Sequence, residues 1–234
     1  MSKNTLVIAS LNLWGYNKWE ERFPRIIETI KEASPDIIFF QEVQRNPLFS
    51  DLNQLEIINE QLAYPYSFFG EACIKKTHKG NILPYPVNHG LGILSKFPCT
   101  SEIIKLTQGV KEPRIILKNT LDTIFGTFTA TNVHFENNDE WSEKHLVETL
   151  EMLKSVNPAS IIVGDFNIKH LEKYSRYYSE KYTASCDVVK YISYPEDNLS
   201  YDYVLLPKQY TYQKFDCLQK DISDHCMIVT HVEI

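Results

Sequence analysis

Short apolar, β-branched runs that alternate with runs at helical spacing confine this chain to a mixed α/β fold, because several strand pairs lie too close together for a helical crossover. Thr5–Leu11 reads as a buried strand. Pro24–Ala33 sets Ile26, Ile27 and Ile30 at helical spacing, with the proline expected to open the helix and Ser34-Pro35 to stop it. Asp36–Phe40 follows as a strand, and Asp51–Leu62 carries Leu52, Leu55, Ile58 and Leu62 on one helical face. Strands are then expected at Tyr66–Phe69, Leu91–Ser95, Ile103–Leu106, Arg114–Lys118 and Thr123–Val133. Glu140–Ser155 reads as a helix burying Leu146, Leu150 and Leu153, before strands at Ser160–Val163, Tyr201–Leu206 and Met227–Val232.

With 234 residues and no Gly/Ser linker, repeat or low-complexity tract, the expectation is a single domain over residues 1–234. Hydrophobic residues at 43% and charged residues at 23% supply an ordinary core and exclude a disordered chain. Five cysteines without a CxxC pair exclude a disulfide scaffold, and their spacing offers no zinc motif. A net charge of -6 does not point to nucleic acid, but a metal ion and a local basic rim can still carry a polyanion. No apolar run approaches the roughly 20 residues of a membrane helix. A cytoplasmic protein without stable membrane insertion is therefore the expectation.

Polar residues recur where apolar strands stop. Asn12 follows Leu6–Leu11, Glu42 follows Ile37–Phe40, and His134 follows Ala130–Val133. Asp165 and Asn167 follow Ile161–Val163 through Gly164. Strand ends of open α/β sheets aim side chains into clefts, and all five of these residues are of ligand or acid–base type. Any one of them alone would read as a turn former or a helix cap.

The segments SLNLWG (10–15), FFQEV (39–43), TNVHFE (131–136), VGDFN (163–167), SYDYVLL (200–206) and ISDHCMI (222–228) together resemble the ordered motif set of the endonuclease/exonuclease/phosphatase superfamily. The resemblance spans almost the whole chain. It implies a four-layer sandwich, two mixed β-sheets between outer helices, and hydrolysis of phosphate esters with Mg²⁺, for which Mn²⁺ can substitute. Glu42 resembles the principal carboxylate ligand of that ion, with Asn12 and Asp224 beside it. Asp165 and Asn167 match residues that orient the attacking water and hold a phosphate oxygen. His225 matches the essential histidine and Asp202 the aspartate that orients it. Either Asp165 or His225 is the base on this reading. His134 matches a second histidine that protonates the leaving oxygen or binds phosphate, yet the stretch before Leu91 offers it His89 and Gly90 rather than an acidic partner. Trp14 stands where apurinic endonucleases carry an aspartate, which argues against a repair role.

Arg114 matches a family position that contacts phosphate, although an ordinary surface arginine fits it equally well. His89 is read as a loop histidine, and His145 and His170 as solvated or structural. Basic and aromatic residues interleave over Lys169–Tyr182, and a second basic stretch, Lys75-Lys76 with His78 and Lys79, is placed on a loop. Both are expected to flank the cleft; they either hold a polynucleotide or are solvated faces. A nuclease-type phosphodiesterase is the leading expectation, with nucleic acid among its candidate substrates. A lipid or small-molecule phosphoesterase is the alternative. A silent binding domain should have lost Glu42, Asp165 or His225, and all three are present. No obligate protein partner is indicated.

Overall fold

The computed structural model describes residues 5–78, 81–156 and 159–234. Lys79 lies outside them. One sheet comprises β1 (Thr5–Asn12), β2 (Ile37–Arg45), β3 (Tyr66–His78), β4 (Asn81–Ser95), β11 (Thr211–Leu218) and β12 (Met227–Glu233), in the order β11-β12-β1-β2-β4-β3. The other comprises β5 (Cys99–Lys105), β6 (Ile115–Thr123), β7 (Gly126–His134), β8 (Ile161–Asp165), β9 (Tyr182–Ala184) and β10 (Asp202–Pro207), in the order β5-β6-β7-β8-β10-β9. Each sheet has one parallel pair at its centre, β1 with β2 and β7 with β8. A parallel pair needs a long crossover, supplied here by helices α1 (Trp19–Ala33) and α3 (Asp139–Met152). A shorter helix, α2 (Gln54–Leu62), starts on a capping box at Asn53 and Glu56.

Side-chain alternation along the strands builds three cores and hence four layers. Ile37 and Phe39 of β2 face the second sheet and meet Leu117, Phe128, Ile161 and Val204. Their neighbours Ile38 and Phe40 face the other way, onto Ile26, Ile30 and Ile58 of α1 and α2. On the far side, Ile162 and Val133 pack with Leu146 of α3 and with Leu171 and Tyr178. Both faces of β2 and β8 are covered, which is why these strands read as unbroken apolar runs rather than as alternating ones.

A buried polar network crosses the central core. Gln41 Nε2 donates to Asn132 Oδ1 at 2.7 Å and to Ser10 Oγ at 3.0 Å, while Asn132 Nδ2 donates to the Phe40 and Gly92 carbonyls at 2.9 and 3.1 Å. Each unmet group at this depth would cost about 1–3 kcal/mol. The network therefore fixes how β2 lies over β7, and with it the relative placement of Glu42 and His134.

Several local expectations are corrected. Helix α1 begins at Trp19 and holds Pro24 inside it. Arg22 overrides the proline: its buried guanidinium donates to the carbonyls of Leu13, Gly15, Asn17 and Ile222, tying the helix start to the loop after β1. The expected strand from Thr123 is broken by a hairpin turn, so that β6 ends at Thr123 and β7 starts at Gly126. Strand β4 starts at Asn81 despite Pro84 and Pro86, because before Asn88 it pairs only with β3 and leaves its other side free of the ladder. Strand β11, an edge strand with weak burial alternation and a bulge, gave no periodic signal.

Candidate active site

The carboxyl ends of both parallel pairs reach the same rim of the sandwich. Asn12 ends β1 opposite Gln41 of β2, and His134 ends β7 directly opposite Asp165 of β8. Asp165 in turn faces Asp202 across β10. Gly164 makes this row possible: its φ is 140°, and a Cβ there would stand 2.2 Å from the Val133 carbonyl oxygen. Glu42 sits in a bulge between Phe40 and Val43 with φ 55°, a left-handed conformation that turns its carboxylate out of the ladder toward the cleft.

The rim encloses a cavity of about 390 Å³ that Asn12, Glu42, Arg114, His134, Asp165, Asn167, Asp224 and His225 all line. Asp202 stands behind it, 1% exposed, and accepts a 2.8 Å hydrogen bond from His225 Nδ1 on the same Oδ2 that Ser193 Oγ reaches at 2.6 Å. With Nδ1 donating to a carboxylate, the Nε2 edge of His225 is left for the cleft, 3.9 Å from Asp165 Oδ2. The Tyr194 ring packs edge-on against His225 at 4.8 Å. Asp165 accepts from Asn12 Nδ2 at 3.0 Å and from the Asn167 backbone N–H at 2.9 Å, and Asn167 Nδ2 donates to the Phe135 carbonyl.

Charge separates these groups. Burial pulls the His225 imidazole down, but the charge and hydrogen bond of Asp202, with Asp165 and Asp224 nearby, outweigh it and raise the ring to about 10. Burial pushes the Asp165 carboxyl up to about 7; the His225 charge opposes this and Asp202 adds to it. His134 moves the other way, held well below its ordinary value by burial first and by the Arg114 cation second. The acidic partner absent from the sequence before Leu91 is replaced by this arginine, whose Nη1 lies 3.0 and 3.2 Å from the two ring nitrogens, and by Asp165 at 3.5 Å. Burial and the Arg114 cation both favour the neutral form of the His134 ring.

Oxygen groups of the kind that hold hard cations also line the cleft. The Asp224 carboxyl is raised by burial and, among further effects, by the charge of Glu42, so two carboxylates that repel one another share one wall. Asn12 Oδ1 accepts from the Trp14 backbone N–H at 2.9 Å and keeps a second lone pair. Oxygen donors of this kind, few and with room for water, fit Mg²⁺. Glu42 additionally forms a group with His89 and His134 whose ligand atoms lie within 4.8 Å of one another.

Some placements differ from the sequence reading. His89 is on β4, 3% exposed, and lines the cleft. Lys75 and Lys76 belong to β3 rather than to a loop, and Lys75 lines the cleft. Within Lys169–Tyr182 only Lys169 reaches it: Arg176 is bound to Glu143 of α3, Lys173 and Lys181 are exposed, and Tyr178 and Tyr182 are core. Sequence reasoning also missed the loop before β6, which brings Lys111 and Glu112 to the cleft. Buried Glu136 anchors it by accepting from the backbone N–H groups of Val110 and Lys111, while His145 Nε2 meets the Thr107 carbonyl. Glu136 closes the TNVHFE segment, so its motif membership was the available signal. Ser193 and Tyr194 had none.

The family model described as "Endonuclease/Exonuclease/phosphatase family" matches residues 9–225. Among solved structures, an endonuclease/exonuclease/phosphatase from Beutenbergia cavernae superposes with a TM-score of 0.83 at 18% identity, over 99% of this chain and 72% of that one. The human Nocturnin catalytic domain with bound sulfate gives 0.74 at 18%, over 98% and 94%. A Bacteroides thetaiotaomicron mannosyl-6-phosphatase gives 0.74 at 16%, over 98% and 100%. At these identities the likeness establishes the fold. No curated protein matches the sequence.

Proposed function

Since this chain belongs to the endonuclease/exonuclease/phosphatase family, whose members hydrolyse phosphate esters, we propose that it cleaves a phosphodiester by metal-assisted attack of water in the cleft around Asp165. The observation that carries the reading is the divergence of Asp165, raised to about 7, from His225, raised to about 10, beside two carboxylates suited to a hard cation. Glu42 and Asp224, with Asn12, would hold Mg²⁺, or Mn²⁺ in its place. When bound, the ion neutralises charge on the phosphoryl oxygens and positions the ester.

The chain's own groups divide the remaining work. Asp165 takes the proton of the attacking water, its carboxyl being near neutrality and held in place by Asn12 and the Asn167 N–H. His225, an imidazolium oriented by Asp202, donates from Nε2 to a phosphoryl oxygen as charge builds there. Arg114 and neutral His134 hold another phosphate oxygen, and Asn167 flanks the water.

The cavity suits one phosphate and the group beside it, and Tyr194 and Tyr201, packed edge to face on each other at 5.4 Å, give one of its walls an aromatic surface. A nucleotide-type diester fits these walls. Because Lys173, Arg176 and Lys181 lie away from the cleft, phosphate contacts fall to the cations that line it, Lys75, Lys111, Arg114 and Lys169, and replacing the three outlying residues should leave the salt dependence of DNA binding unchanged. The test is turnover with Mg²⁺, Mn²⁺ or chelator against plasmid DNA, short single-stranded DNA, RNA, sphingomyelin and inositol phosphates. Loss of activity with chelator and its return with Mg²⁺ on a nucleotide diester support the reading. Full turnover after exhaustive chelation refutes it, and sole activity on sphingomyelin or inositol phosphates moves the substrate to the lipid or small-molecule class.

A further inference from the structure

We propose that Cys73, His89 and Glu112 form a second metal site, distinct from the Mg²⁺ ligands and selective for a borderline-soft ion such as Zn²⁺ or Co²⁺. The three side chains offer ligand atoms that all lie within 4.8 Å of one another. They reach this point from independent elements. Cys73 and His89 are cross-strand partners on β3 and β4, beside a bulge between Glu71 and Cys73, and Glu112 comes from the loop before β6. None of the three is among the oxygen ligands assigned to the hard cation.

A second observation points to a ligand. His89 is 3% exposed, yet its Nε2 has no hydrogen-bond partner, and its Nδ1 lies 3.9 Å from Glu112 Oε2, beyond hydrogen-bond reach. Buried imidazoles are normally satisfied, and an unsatisfied one beside a thiol and a carboxylate has the makings of a coordination sphere. Burial, with the Lys75 and Arg114 cations, holds the ring neutral, the form that binds metal.

Ligand chemistry selects the ion. A thiolate with an imidazole and a carboxylate suits Zn²⁺ or Co²⁺, whereas Mg²⁺ takes oxygen ligands almost alone. Three protein ligands leave a fourth tetrahedral position, and His89 and Glu112 both line the cleft, so that position faces the substrate space. Binding has two requirements on this geometry. The ligands close by about an ångström to reach Zn–S and Zn–N lengths of about 2.3 and 2.1 Å, and Lys75 swings off Glu112, which it now holds at 3.0 Å. The thiol must also lose its proton.

The test is a Co²⁺ titration of the full chain in saturating Mg²⁺, following the near-ultraviolet thiolate-to-cobalt band. One equivalent should raise the band, Zn²⁺ should abolish it, and a Cys73→Ser protein shown folded by circular dichroism should lack it. In the parent protein, Zn²⁺ should slow alkylation of Cys73, mapped by mass spectrometry, at least about tenfold, with Glu112→Gln reducing that protection. Absence of the band, its persistence in Cys73→Ser, or its loss only when one of the other free cysteines (Cys99, Cys186, Cys217 or Cys226) is replaced by serine overturns the proposal. So does unprotected Cys73 in the parent, which keeps the test decisive if Cys73→Ser does not fold.

Discussion

Asp202 holds His225 through a single carboxylate oxygen: Oδ2 accepts from His225 Nδ1 at 2.8 Å and from Ser193 Oγ at 2.6 Å, all of it buried. Ser193 Oγ also accepts the backbone N–H groups of Tyr201 and Asp202, so the aspartate is locked before it orients the ring. Asp202→Asn removes the charge that raises His225. It should lower kcat about 10²-fold or more, and the His225 ring pKa, followed by NMR, should fall toward the ordinary imidazole range. Ser193→Ala leaves the charge in place and should cost less than about 10-fold. A folded Asp202→Asn protein with unchanged kcat would contradict this pairing.

Arg114 should serve binding and tuning together. If Arg114 holds a phosphate oxygen as proposed, Arg114→Ala should lower kcat/KM about 10- to 100-fold, mainly through KM. The cation also helps to hold the His134 ring low, so the same variant should let its pKa rise part of the way back, burial still acting. An unaltered KM with an unchanged His134 titration would leave Arg114 only a structural part of the cleft wall.

The residues that line the cleft were legible in part because they sit at fixed offsets from strands. Asn12, Glu42, His134 and Asp165 follow apolar runs buried on both faces, and such runs are visible in sequence. What was not legible depends on tertiary placement. Arg22 starts α1 ahead of Pro24 through carbonyls as distant as Ile222, and no local propensity reports that. Arg114 reaches His134 because Glu136 anchors the preceding loop. The Lys169–Tyr182 stretch failed as a cleft wall for the converse reason: Tyr178 and Tyr182 fill the core, and Arg176 turns to Glu143.

Asp165 should make the metal-free protein less stable as pH rises. Its folded carboxyl titrates near 7 and its unfolded one near 3.8, so between those values the folded state holds a proton the unfolded chain has released. Stability from this group is lost as pH climbs through that window. In Asp165→Asn the loss is absent. Without metal, the Tm of the variant relative to the parent should therefore grow by about 3 °C or more from pH 4 to pH 8, and saturating Mg²⁺ should shrink the difference. A Tm difference independent of pH would remove Asp165 from the role of a tuned base.

Turnover in H₂¹⁸O reads out the attacking group, which on the proposed mechanism is water activated at Asp165. With Mg²⁺ and a nucleotide diester, each cleavage should place one ¹⁸O in the product phosphate, and both label and turnover should disappear with chelator and in a folded His225→Ala protein. Product phosphate without ¹⁸O, or labelled at an undiminished rate in His225→Ala or in chelator, would contradict metal-assisted attack of water at this cleft.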